Sequence, residues 1–105
     1  MLIVDAHLDL AYNVDRGRDV TRPAKEQPVA DNEIATVGLP DLRAGGVGLI
    51  CATIFCSPRK YSTPPEARAI AMNQLNWYRR QNDEGRINFV TRGSELPDAK
   101  FEAGE

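Results

Sequence analysis

The residues best suited to chemistry lie near the start of the chain. Asp5, His7 and Asp9 alternate there with apolar residues. Residues two apart on a β-strand leave the same face, so a strand would place the His7 imidazole beside the Asp9 carboxylate. Both groups are good zinc ligands. The spacing therefore indicates half of a metal site, with a hydrogen-bonded His–Asp pair of structural purpose as the alternative.

The segment that must position these groups is residues 2–10. Its odd positions change from apolar to polar toward the C-terminal end, and its even positions are all apolar: Leu2, Val4, Ala6, Leu8 and Leu10. Period-two alternation predicts a strand. We expect one face of this strand to lie under helices and the other to line a site near its C-terminal end.

Further along, strand and helix patterns alternate. Residues 47–55 are almost continuously apolar, as is typical of a strand buried on both faces of a parallel sheet. Thr63, Pro64 and Glu66 form the start signals, including a capping box, of a helix that Gly85 ends. Residues 86–91 predict a third strand, with residues 87–90 beside the first two. This order predicts an α/β fold of parallel β/α units.

Shorter elements fill the remaining segments. Residues 12–18 suggest a helical turn, and residues 21–38 form a long loop with two prolines. Residues 40–44 predict a short helix that Gly45 and Gly46 end. Residues 97–103 look like the start of another helix.

The composition narrows the class of protein. The chain is 42% hydrophobic and 27% charged, with a net charge of −2, so no excess of basic residues points to nucleic acid or to an anionic membrane. No apolar run approaches the roughly 20 residues that span a bilayer. The N-terminus lacks the basic region and cleavage site of a signal peptide, and the predicted location is cytoplasmic.

The two cysteines, Cys51 and Cys56, are not expected to form a disulfide. In an extended segment they would lie roughly 16 Å apart, at ~3.3 Å per residue. A disulfide requires Cα atoms within about 7 Å of each other. We therefore expect free thiols, buried or half-buried.

Two motifs resemble those of a known family. Residues 4–10 (VDAHLDL) resemble the D-x-H-x-D-L opening of the membrane (renal) dipeptidase family of metallopeptidases, and residues 39–48 (LPDLRAGGVG) are similar to its segment leading into the second strand. The motifs occur in the family's order. The resemblance covers the whole chain but only the opening portion of the family's sequence.

The resemblance implies a (β/α)₈ TIM barrel, with residues 1–105 as the N-terminal fragment of a single metallo-dependent hydrolase domain and the active site at the C-terminal ends of its strands. Members hold two zinc ions, and a metal-bound hydroxide hydrolyses the peptide bond of a dipeptide. By this resemblance, His7 and Asp9 are metal ligands on the first strand. Tyr12 lies where relatives often have an aromatic residue beside the substrate.

The chain also departs from the family pattern. It contains one histidine, so the two histidines of the second zinc site are missing. The bridging glutamate and the general base also come later in relatives, and neither Glu102 nor Glu105 is assigned a ligand role. We therefore predict a zinc dipeptidase fragment that is inactive alone. The alternatives are a non-catalytic α/β fragment that associates with itself or with a complementary chain, and a standalone α/β binding domain.

Overall fold

The structure is a computed structural model that describes residues 2–30 and 32–96, and the helix predicted at residues 97–103 lies outside them. The chain divides into two units, the first ending at Thr53 and the second comprising Ile54–Leu96. The first unit contains β1 (Ile3–Leu8), α1 (Leu10–Asp15), a 3₁₀ turn (Ala24–Glu26), α2 (Leu39–Ala44) and β2 (Val47–Ala52). The second contains α3 (Pro64–Asp83) and a 3₁₀ turn (Gly93–Glu95). The predicted mixed α/β class is confirmed.

The two strands of the first unit pair in parallel, as predicted. Ile3 lies opposite Val47 at one end, and Leu8 lies opposite Ala52 at the other. The register shifts twice between these pairs: β2 has one additional residue at Gly48, and β1 has one additional residue between Asp5 and Leu8. The second shift is a bulge or similar irregularity between Asp5 and Leu8, in the segment that contains His7.

The burial predicted for the strands is wrong. Val4 is 50% exposed and Ala6 is also exposed, so of the even positions of β1 only Leu8 is half-buried, and Ile3 is 38% exposed as well. Within β2 the first four residues are half-buried, whereas Cys51 and Ala52 are exposed. The apolar core of the first unit lies instead in α1, the long loop and the start of α2, where the buried residues are Leu10, Ala11, Val20, Ala35 and Leu39.

The cysteine prediction is partly right. Cys51 and Cys56 are both free, as predicted from their spacing. Cys56 is half-buried, but Cys51 is exposed because it lies in the uncovered C-terminal part of β2.

Residues 87–90 are not a strand, contrary to the prediction. One backbone donor of this segment bonds to a side chain: the Phe89 N–H donates to Asn82 Oδ1 over 2.9 Å. The Thr91 N–H likewise donates to Glu95 Oε1 over 3.3 Å. An apolar segment whose backbone donors bond to side chains has fewer groups left to form a ladder.

The long loop is held by buried polar side chains. Arg18 is 6% exposed, and its guanidinium donates to Asn13 Oδ1 over 2.6 Å and to the Glu33 carbonyl over 2.8 Å. Gln27, also buried, donates to the carbonyls of Arg22 and Val37. These contacts supply the order that the loop's sequence pattern does not predict.

The loop joins α2 at a point of close backbone approach. The Asp41 carboxylate at the start of α2 accepts the N–H groups of both Gly38 and Ala24 over 2.8 Å. A Cβ atom added to Gly38 would lie 1.9 Å from the Arg22 carbonyl oxygen. Only glycine fits this position unless the backbone moves. The predicted turn after α2 is also present, with Gly46 at φ 79°.

Helix α3 starts where the capping residues predict. The Thr63 hydroxyl accepts the Glu66 N–H over 3.4 Å. The Glu66 carboxylate accepts the Ser62 N–H over 2.8 Å and the Ser62 hydroxyl over 3.2 Å, one residue earlier than in a standard capping box. These hydrogen bonds, with the Ser62 N–H first in importance, lower the pKa of Glu66.

The buried residues of α3 are mostly polar. Gln74 and Gln81 are buried together with Tyr78. The amide of Gln74 pairs with the backbone of Phe55, accepting its N–H over 2.9 Å and donating to its carbonyl over 2.6 Å. The strand predicted to reach residue 55 ends at Ala52, and Phe55 bonds to α3 instead.

In the described part of the chain, no helix is both long enough and apolar enough to cross a membrane.

Candidate metal centre

His7 and Asp9 lie side by side at the C-terminal end of β1. The His7 Nε2 atom is 3.3 Å from Asp9 Oδ1, and the two side chains are 73% and 38% exposed. The C-terminal edge of parallel strands is where α/β proteins commonly bind ligands. The pair is therefore close enough to share an ion and open enough to receive one from solvent.

The irregular part of β1, between Asp5 and Leu8, includes His7. The His7 N–H donates to Asp5 Oδ1 over 2.9 Å. Register returns at the Leu8–Ala52 pair. Bulges of this kind redirect side chains beside functional sites. His7 therefore lies within the irregular part of β1, and Asp9 follows the strand directly.

Asp9 occupies the N-cap position of α1, but its carboxylate makes no capping hydrogen bond. Aspartate at such a position commonly caps the helix. Here the Thr53 hydroxyl donates to Asp9 Oδ1, and His7 lies against the same oxygen. The Asn13 side chain donates to the Asp9 carbonyl over 2.6 Å instead. The carboxylate thus faces the sheet edge and His7.

The distance between the two groups fits a tetrahedral metal site. Zinc binds imidazole nitrogen and carboxylate oxygen at about 2.0–2.1 Å, and two such ligands at a tetrahedral angle lie about 3.3 Å apart. His7 Nε2 and Asp9 Oδ1 have this separation. A direct His–Asp ion pair is also compatible with it. The donor set therefore fits half of a zinc site and leaves the structural alternative open.

A third ligand is not supplied by residues 2–30 and 32–96, in which no three His, Cys, Asp or Glu side chains cluster suitably for a metal ion. Asp5, the closest acidic residue before His7 in the sequence, accepts the His7 N–H. Glu102 and Glu105 fall outside the described residues. The described residues therefore offer two candidate ligands, and catalytic zinc sites normally use three from protein.

Tyr12 lies on α1, half-buried, in the first turn of that helix. The guanidinium carbon of Arg16, the C-cap residue of α1, is 5.6 Å from the centre of the Tyr12 ring, a cation–π distance. Arg16 also forms an ion pair with Glu33 over 3.1 Å. Arg16 is therefore one neighbour of Tyr12, and the place of Tyr12 beside a substrate stays a prediction.

Thr53 is the site residue that sequence reasoning missed. It follows β2 directly, and its N–H donates to the Leu8 carbonyl over 3.1 Å, continuing the ladder by one residue. Its hydroxyl reaches Asp9. The available signal was chemical: Thr53 carries the only hydroxyl in the apolar run 47–55.

Comparisons with protein-family models, with curated proteins and with solved structures found no match to this chain.

Proposed function

We propose that the chain is the N-terminal portion of a zinc-dependent dipeptidase in which His7 and Asp9 hold one metal ion. The observation that carries the proposal is the 3.3 Å approach of His7 Nε2 to Asp9 Oδ1. It occurs within the motif that resembles the opening of the membrane dipeptidase family. Tyr12, in the first turn of the following helix, is the proposed substrate neighbour.

The arrangement of the first unit supports placing this site in a (β/α)₈ barrel. Its two strands are parallel, and the chain between them contains helical elements, as in a barrel's opening β/α units. His7 and Asp9 come from the C-terminal end of β1, and Thr53 follows the C-terminal end of β2. Barrel enzymes build their active sites at this end.

The roles of the metal and of the two residues follow from the groups that could bind the metal. Zinc, when bound, lowers the pKa of water and polarises a carbonyl. His7 and Asp9 provide two ligands, and the high exposure of His7 keeps the position accessible to a substrate. The bridging carboxylate, the second metal's histidines and the general base belong to a sequence outside residues 1–105. This polypeptide alone is therefore expected to hydrolyse no dipeptide.

A Zn²⁺ titration tests the ligand assignment. The wild-type chain should bind Zn²⁺ weakly, with the largest changes in its NMR spectrum at His7 and Asp9. His7→Ala and Asp9→Asn should each abolish these changes, because each removes one of two ligands. The matched control Asp83→Asn removes the same charge from α3 and should bind like wild type. Zinc binding that persists in both ligand variants would overturn the assignment.

The dipeptidase activity is tested on a chain that continues beyond Glu105. Its continuation is expected to contain a strand ending in glutamate and two further histidines. Such a chain should hydrolyse dipeptides with added Zn²⁺ and lose this activity with a chelator or with His7→Ala. A continuation without these residues would contradict the dipeptidase proposal, and so would a full barrel that lacks zinc-dependent hydrolysis.

The exposed apolar residues of β1 support a second candidate, a non-catalytic α/β fragment that binds another chain. Ile3 and Val4 are largely uncovered. In the described residues the sheet has only two strands, so each strand has one edge without a strand partner. Such edges recruit further strands. Under this candidate the partner is a second copy or a complementary chain, and His7 and Asp9 form a structural pair.

A further inference from the structure

Thr53 lies at the junction of the two strands and the candidate metal centre. Its hydroxyl donates to Asp9 Oδ1, the same oxygen that approaches His7 Nε2. We propose that Thr53 is a positioning residue, which fixes the Asp9 carboxylate for metal binding. This inference rests on the proposed function, because it assumes that Asp9 is a ligand.

The backbone holds the Thr53 side chain in place. The Thr53 N–H donates to the Leu8 carbonyl over 3.1 Å, one residue beyond the Leu8–Ala52 pair. This bond ties the residue to the position immediately before Asp9. Threonine is also β-branched, so few rotamers are available at its first side-chain torsion. The hydroxyl is therefore directed by the sheet and not by a mobile loop.

The hydroxyl has two acceptors within reach and one proton to donate. The Leu8 carbonyl, 3.3 Å from Thr53 Oγ1, and Asp9 Oδ1 can both accept it. A charged acceptor forms the stronger hydrogen bond. The proton therefore goes to Asp9, and the Leu8 carbonyl keeps the Thr53 N–H as its partner.

This hydrogen bond gives the carboxylate an orientation that its own helix does not provide. Asp9 makes no capping bond to α1, so Thr53 and His7 are the described side chains that contact its Oδ1 atom. Metal-binding carboxylates are commonly oriented by such outer hydrogen bonds. Loss of one typically weakens metal affinity about 10–100-fold.

Three variants of Thr53 and one control variant separate the effect of the hydroxyl from that of the rest of the side chain. Thr53→Val keeps the branched shape without the hydroxyl, while Thr53→Ser and Thr53→Ala both lose the methyl group and differ in the hydroxyl alone. Thr21→Val is the control, because the Thr21 hydroxyl also donates to an aspartate, Asp19, over 2.5 Å. The readout is the Zn²⁺ affinity, measured by titration of the metal alone against the full chain.

We expect Thr53→Val and Thr53→Ala to bind Zn²⁺ about 10–100-fold more weakly than wild type. Thr53→Ser and Thr21→Val should bind it like wild type. Wild-type Zn²⁺ affinity in Thr53→Val or in Thr53→Ala would overturn the role of Thr53 and leave the ligand assignment standing. A Thr53→Ser variant that binds Zn²⁺ as weakly as Thr53→Ala would have the same consequence. A wild-type chain that binds no Zn²⁺ would overturn both proposals.

Discussion

The side chain of Gln74 takes the place of a neighbouring strand for the backbone of Phe55. Its amide accepts the Phe55 N–H over 2.9 Å and donates to the Phe55 carbonyl over 2.6 Å, and Gln74 is 1% exposed. The N–H and the carbonyl of Phe55 thus both have a hydrogen-bond partner inside the second unit. A buried glutamine of this kind stabilises one specific path of the chain after residue 53.

Replacing this amide should destabilise the second unit. Gln74→Leu keeps a similar volume but leaves the Phe55 N–H and carbonyl without their partner, at a cost of about 1–3 kcal/mol. Asn73→Leu, on the exposed side of the same helix, should change stability by less than about 0.5 kcal/mol. Urea unfolding followed by circular dichroism measures both. Equal stabilities for the two variants would contradict a structural role for Gln74.

A methyl group at Gly38 should be poorly tolerated. The added Cβ would lie 1.9 Å from a backbone oxygen, that of Arg22, so the loop or α2 must move. Gly38→Ala should lower the free energy of unfolding by about 1–3 kcal/mol, as is usual for overpacking. Gly93→Ala is the control, because its Cβ would meet no atom within 4 Å. Thermal unfolding of both variants tests this prediction. An unchanged melting temperature for Gly38→Ala would contradict the close approach of residue 38 to the Arg22 carbonyl.

Glu66 should make the stability of α3 depend on pH in the acidic range. Its hydrogen bonds to Ser62 lower its pKa below the ordinary 4.5, so the unfolded chain binds the proton more readily than the folded one. The contribution is complete above pH 4.5 and disappears as the pH falls through the lowered value.

Two variants test this linkage by unfolding at several pH values. Glu66→Gln should remove the contribution, so the gap in stability from wild type should close on acidification. Ser62→Ala should reduce it only in part, because the Ser62 N–H, the larger cause of the shift, remains. A gap that stays constant with pH would show that the carboxylate has the same pKa in both states.

The exposed strand β1 should mediate self-association of the isolated chain. Val4→Lys places a charge on a half-exposed strand residue and should shift the chain toward monomer, because lysine on strand edges disfavours pairing. Val29→Lys is the control, since Val29 is 63% exposed in the loop. Size-exclusion chromatography with light scattering measures the mass. A wild-type chain that is already monomeric would contradict the prediction.

The sequence predicted the elements whose signals are local. The capping residues Thr63 and Glu66 located the start of α3, and alternation located β1. It failed at residues 87–90, where the pattern predicts a strand but the Phe89 N–H bonds to the Asn82 side chain and no strand forms. Hydropathy does not encode such bonds.

The sequence predicted that His7 and Asp9 lie together, but it did not predict the groups around them. The H-x-D spacing singled out these two residues, whose side chains lie 3.3 Å apart, and their role as metal ligands stays a prediction. Alternation could not predict the irregularity between Asp5 and Leu8, because it depends on pairing with β2. Thr53 could not be identified from the sequence for the same reason, because Asp9, its neighbour in space, is far away in sequence.

The two register shifts of the sheet compensate each other. Ile3 and Leu8 are separated by the same number of residues as their partners Val47 and Ala52, because the additional residue in β2 is balanced by one in β1. Deleting either one alone would slide the strand ends past each other and carry Thr53 away from Asp9. Deleting both would leave the ends aligned. Length changes in these strands are therefore expected to be tolerated only in pairs, and an insertion in one strand should be rescued by a matching insertion in the other.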